Sequence, residues 1–223
     1  MFRRIVATAL FAGLAAGFVL FVVQQSWVTP LILEAETFET AGAGHQEHGH
    51  EHGHPWAPQD GIERTLFTLL ADVLNGFGFA LLLGAAIAFS GRQVNWRLGL
   101  VWGLAGFAVF GAAPALGLPP DPPGVDAGEL VPRQAWWLGT AAATALGLWL
   151  LALTKRRALK VLGVLALVAP HVIGAPALDI HAGPVPPELV NEFIAASLVA
   201  TGVFWLVIGT MSGHLARHRI GLD

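Results

Sequence analysis

The chain contains no cysteine in 223 residues, which excludes a disulfide framework, a thiolate metal site and a dithiol redox motif. Charge is scarce as well. Only 12% of residues are Asp, Glu, Lys or Arg, against roughly a quarter in a typical soluble domain. No GxxxxGKS/T phosphate loop is present, so the chain has no recognisable means of hydrolysing ATP. No basic face interleaves with aromatics as a nucleic-acid footprint would. No nucleophile–base pairing or catalytic motif stands out, and an enzyme is not expected.

What is abundant is apolar: 55% of residues are hydrophobic and the mean hydropathy is +0.64. The apolar residues fall in runs of about 20, the length that crosses a ~30 Å hydrocarbon layer as helix. The expected fold class is therefore all-α: a polytopic helical membrane protein of about six spans, read at 5–23, 66–89, 98–116, 135–153, 160–178 and 190–212. Pro170 and Pro176 make the fifth the weakest. Residues 1–223 form one transmembrane domain, with residues 24–65 a His/Glu-rich loop between spans one and two. Arg3-Arg4 before an apolar run also fits a signal peptide. However, Ile5–Val23 is longer than a usual signal core and lacks a convincing small-x-small site, so a retained span is expected. Arg3, Arg4, Arg92, Arg97, Lys155, Arg156, Arg157, Lys160, Arg217 and Arg219 fall on one side of this topology, and only Arg64 and Arg133 on the other. That asymmetry puts both termini in the cytoplasm of a cytoplasmic membrane. Most carboxylates, Glu34, Glu36, Glu39, Asp121, Glu129 and Glu188 among them, then face out.

Two outward-running spans end alike. GAAPALGLPPDPPG (Gly111–Gly124) resembles GAPALDIHAGPVPP (Gly174–Pro187), and ELV follows each, at Glu129–Val131 and Glu188–Val190. This predicts a duplicated helical hairpin, with spans one and two as a diverged third copy, since Pro30 lies near the outer end of span one. Proline removes a backbone donor, and within a bilayer the freed carbonyl needs protein or a wet cavity beside it. Pro114 and Pro176 therefore point to a polar vestibule at the outer end.

Candidate metal ligands form two sets. HQEHGHEHGH packs His45, His48, His50, His52 and His54 with Glu47 and Glu51, and Gly49 and Gly53 let the backbone fold several rings onto one ion. Imidazole and carboxylate suit cobalt, nickel, copper and zinc, so this patch can concentrate metal but cannot choose one. It is a flexible chelator, or else a solvated low-complexity loop. The second set lies at membrane depth, where polar groups are costly. His171 in PHVIGAP is expected near the midplane, Asp72 and Asn75 on one face of span two, Glu192 (beside Asn191) near the outer surface, and Asp179 with His181 in the last external loop. The plainer readings are a helix-packing Asp72 paired with Arg133, and a His171 that caps carbonyls freed by proline. Trp136 and Trp137 read as an interfacial anchor, and His214 with His218 as an ordinary basic helix end.

MFRRIVATALFAGLAAG at the start, PPDPPG before RQAWW (Arg133–Trp137), and PHVIGAP resemble the CbtA family of cobalt transporter proteins, in order along essentially the whole chain. The resemblance implies a membrane component for cobalt uptake, linked to cobalamin biosynthesis, whose partner is a small, single-span, histidine-bearing B subunit. No family ligand set carries over onto His171 or Asp72. The expected function is uptake of a divalent transition metal, Co²⁺ foremost and Ni²⁺ or Zn²⁺ as alternatives, with no covalent cofactor. The alternative is a membrane-anchored capture or sensing module that hands metal to another transporter. Membrane lipid is the other expected partner, and self-association is left open.

Overall fold

The structure, a computed structural model, describes residues 2–43, 58–125, 128–176 and 183–217. Among them there are helices and turns and no strand. In chain order α1 (Phe2–Val23) continues through a π-helical turn (Gln24–Val28) into α2 (Thr29–Ala43). α3 (Ile62–Ser90) follows, and then α4 (Trp96–Phe107), a second π-helical turn (Ala108–Ala112) and α5 (Ala113–Ala115). α6 (Leu130–Leu153), α7 (Arg157–Ile173) and α8 (Pro187–Arg217) complete the described elements. Five of the resulting segments are long and apolar enough to cross a membrane: Ile5–Phe38, Ile62–Ser90, Trp96–Ala115, Leu130–Leu153 and Pro187–Ala216. The chain is thus a polytopic helical membrane protein.

Two boundaries differ from expectation for identifiable reasons. Span one was expected to stop at residue 23 and a loop to begin at 24. Instead the helix runs on, and its 34-residue apolar stretch is about 51 Å long, well beyond a ~30 Å core. The polar segment QQSW enters a π turn, and Ser26 satisfies its own hydroxyl on the Val22 carbonyl at 2.7 Å. Span five is shorter than expected. α7 has 17 residues and contains Pro170; it ends where Gly174 turns to φ +87°, a conformation that suits glycine and halts the helix.

The helices pair through glycine rather than through bulky side chains. A Cβ on Gly76 of α3 would overlap the Gly13 carbonyl of α1, and one on Gly17 would lie 2.5 Å from the Asp72 carbonyl. α4 and α8 meet the same way through Gly99, Gly103, Gly209 and Gly213, and α6 and α7 through Gly147 and Gly163. Close backbone approach of this kind drives association where lipid removes the hydrophobic incentive. Large apolar residues accordingly face outward, including Phe11, Phe18, Leu66, Leu82, Phe89 and Leu165, while Ala9, Ala12, Ala16, Ala35 and Ala196 are buried.

α1 also packs on α8, which joins the first two pairs. The α6–α7 pair meets this group mainly through the second π turn and α5. An aromatic cluster holds that junction. Phe110 of the π turn stacks on Trp205 at 5.5 Å, meets Phe79 edge-on at 5.0 Å, and reaches Trp137 of α6 at 6.1 Å. Each π turn ends two residues before a proline, Pro30 in one and Pro114 in the other. The wider turn accommodates a ring that would otherwise clash with the carbonyl one turn back.

Candidate functional site

The two like-ended motifs meet. Leu116 and Gly117, at the end of the α4–α5 segment, and Gly174, Ala175 and Pro176, just past α7, line one pocket of about 440 Å³ together with Trp136 and His171. A Cβ on Gly117 would sit 2.9 Å from that of Ala175 and closer still to the Trp136 ring, so only glycine leaves this pocket its floor. The pocket lies at the end of the bundle opposite Arg92 and Lys155–Arg157, where α6 begins and α4–α5 and α7 finish. The two prolines expected to mark a vestibule have different local settings here. Pro114 is fully buried within the helix, and Pro176 lies beyond α7 in a non-helical segment.

Two helices finish at this pocket with their C-terminal ends. Gly174 N–H donates to the Pro170 carbonyl, and Gly117 and Leu118 N–H both donate to the Pro114 carbonyl. The carbonyls that follow have no intrahelical donor, because a helix leaves its last C=O groups unpaired. Such ends carry partial negative charge and favour cations.

His171 is exposed, two residues from the end of α7, with its ring 6.2 Å from that of Trp136 in edge-on geometry. It therefore lies near the end of its helix and not at the middle of a span, because α7 ends at Ile173 rather than at residue 178. Trp136 and Trp137 are not a lipid-facing belt. Trp136 lines the pocket with its indole Nε1 buried and without a partner, and Trp137 packs on Phe110. Thr140 and Thr144 follow Trp136 at intervals of four, which is one helix face. Both are buried with unpartnered hydroxyls, so polar atoms descend about 12 Å from the pocket wall into the bundle. Sequence reasoning passed over this pair, although two threonines four apart within an apolar span were a visible signal.

The other expected residues are elsewhere. Asp72 is buried, with Oδ2 unpartnered, on the α3 face that packs against Gly17. Asn75 is exposed, so the pair does not act as one face. Arg133 binds Asp121, not Asp72. Asp121 is mostly enclosed; burial pushes its carboxyl up, outweighing the opposing pull of Arg133. Glu192 is exposed, as is Asn191, in the first turns of α8. Arg64, the other basic residue of this end, is held by Glu36 at 2.5 Å and Asp60 at 3.2 Å. Both of the end's described cations are thus neutralised, while Glu34, Glu129 and Glu188 stay exposed there. Among the described residues no group of three His, Asp or Glu side chains could hold a metal ion, and His171, Asp72 and Glu192 do not converge. His45, His48, His50, His52, His54, Glu47, Glu51, Asp179, His181 and His218 lie outside the described residues.

No curated protein and no solved structure matches the chain. A family model described as "Probable cobalt transporter subunit (CbtA)" matches residues 2–217. That match covers every described helix and both halves of the vestibule: the chain belongs to the CbtA family.

Proposed function

We propose that this chain is the membrane-embedded part of an uptake system for a divalent transition metal, with Co²⁺ as its cargo. The observation that carries this reading is the convergence of two helix carbonyl ends and the His171 imidazole on one pocket at the acid-rich end. A borderline cation entering it exchanges water for imidazole nitrogen and carbonyl oxygen, and the helix-end charge favours it over an anion. The unpartnered Thr140 and Thr144 hydroxyls offer further oxygens inward, and beyond them α6 is apolar, at Ala145, Leu148 and Trp149. Unpaired backbone at half-helix ends is a familiar way for transporters to hold cations.

In this reading the acid-rich end faces outward and the membrane is the cytoplasmic one. His45–His54 captures metal from dilute solution, Asp179 and His181 supply further ligands, and Asp72 tunes the α1–α3 seam or relays the ion. A double positive charge crossing 100 mV gains about 4.6 kcal/mol, enough for roughly thousandfold accumulation, so inward movement needs no nucleotide. Membership of a multi-component transporter implies a second component, and a single-span, histidine-bearing chain is the proposed one, in support of cobalamin synthesis.

The test is metal flux into liposomes carrying the chain under an imposed potential, with cobalt, nickel and zinc compared. His171→Ala is expected to cut cobalt flux by about tenfold or more at unchanged protein abundance, the scale of losing one charge-assisted ligand. Flux at the wild-type rate would remove His171 from the path. A second reading, a membrane-anchored capture module, rests on the density of imidazoles in His45–His54. In that case the chain alone gives no flux, and deleting residues 45–54 abolishes function at every metal concentration.

A further inference from the structure

A second cavity, of about 460 Å³, lies at the basic end of the bundle between α3, α4 and α6. It exists because α6 meets the α1–α3 and α4–α8 helices mainly through the second π turn and α5, towards the other end. Its walls are apolar: Leu82 of α3, Val101 and Trp102 of α4, and Ala145, Leu148 and Trp149 of α6. The proposed metal route uses none of them as ligands. Its mouth is basic. Arg92, from the α3–α4 link, lines the cavity and donates one long hydrogen bond (3.4 Å) to the Ala152 carbonyl, which leaves most of its five N–H donors free for other partners. α6 ends at Leu153, which also lines the cavity, and Lys155 and Arg156 follow it in the chain, both exposed.

We propose that this cleft binds an anionic phospholipid, with an acyl chain against Ala145, Leu148 and Trp149 and the phosphate between Arg92 and the Lys155–Arg156 rim. Size and charge select this occupant. A spanning helix ~10 Å across and ~30 Å long fills roughly 2,400 Å³, several times the cavity, whereas a single hydrocarbon chain is narrow and flexible enough to enter. A basic rim over an apolar cleft between transmembrane helices matches the two-part chemistry of an anionic lipid and favours it over a zwitterionic one, whose ammonium opposes the rim's charge.

The test uses brominated acyl chains, which quench tryptophan on contact. The full chain is placed in phosphatidylcholine nanodiscs, and brominated phosphatidylglycerol or brominated phosphatidylcholine is titrated in. The anionic lipid is expected to half-quench at about tenfold lower mole fraction. Trp149→Phe should remove part of that signal, and Arg92→Gln with Arg156→Gln should erase the preference. Those two arginines are exposed, so the double variant should fold, as an unchanged melting profile would verify. Equal quenching by the two lipids, or a preference that survives the double variant, reduces the site to ordinary boundary lipid and overturns the proposal. So does a protein helix crosslinked from position 148.

Discussion

At the scale of single residues, three ion pairs organise the acid-rich end, and two of them join residues 28 and 12 positions apart in sequence. Arg133 neutralises Asp121, and Arg64 bridges Glu36 and Asp60. Arg133→Gln should therefore destabilise the protein by on the order of 2 kcal/mol, since it strands a largely buried carboxylate, and thermal unfolding in detergent measures it. Asp121 also makes a pH prediction. Its folded-state carboxyl is raised by burial, so folding favours the protonated form, and this group's contribution to stability falls as pH rises from its ordinary value through the raised one. Melting curves across that range should fall less steeply for Asp121→Asn than for the wild type; parallel curves would mean that Asp121 does not report. The residue types at the vestibule were legible in the sequence, but not their meeting. His171 and Trp136 both stand out as polar or amphipathic groups in apolar context, but their contact depends on where α7 stops, and Gly174 sets that.

At the scale of elements, the fold is a set of glycine seams interrupted by proline-linked π turns. Gly76→Val places a branched side chain against the Gly13 backbone and should cost about 3 kcal/mol or more, the upper range for overpacking. Gly78→Ala is the control, because a Cβ there meets nothing within 4 Å. It should be neutral or slightly stabilising. Equal melting of both variants would deny that the α1–α3 seam depends on backbone contact. The spans were readable from apolar run length, since the bilayer sets it. The continuation of α1 into α2 was not, because a helix leaving the membrane carries an ordinary polar sequence that a loop could equally have. The expected hairpin repeat is partly visible. Both ELV segments begin helices, and the π-turn-then-proline arrangement occurs in spans one and three, whereas α7 has proline without a π turn.

At the scale of the whole molecule, the uptake reading depends on which end faces out. Because the chain has no cysteine, single introduced cysteines are unambiguous reporters. Glu34→Cys should react with an impermeant maleimide in intact cells, and Lys155→Cys only after permeabilisation; the reverse pattern would invert the uptake reading. Deleting residues 45–54 separates capture from conduction. A permease keeps cobalt uptake at high external metal and loses it at low, as a lower effective affinity requires, while a capture module loses it throughout.

Composition and charge order alone determined that this is a multi-span helical membrane protein with one acidic and one basic end, and its ordered motifs carried the likeness to a transporter family. The first two properties follow from local solvent preference, which each residue carries independently of its neighbours. Only the tertiary structure decided that two motifs some sixty residues apart close one pocket, that Asp72 faces the α1–α3 seam and not that pocket, and that a cleft opens beside α6. Each of these depends on which helix backs touch, and that is set by glycine contacts between distant segments that no local pattern encodes.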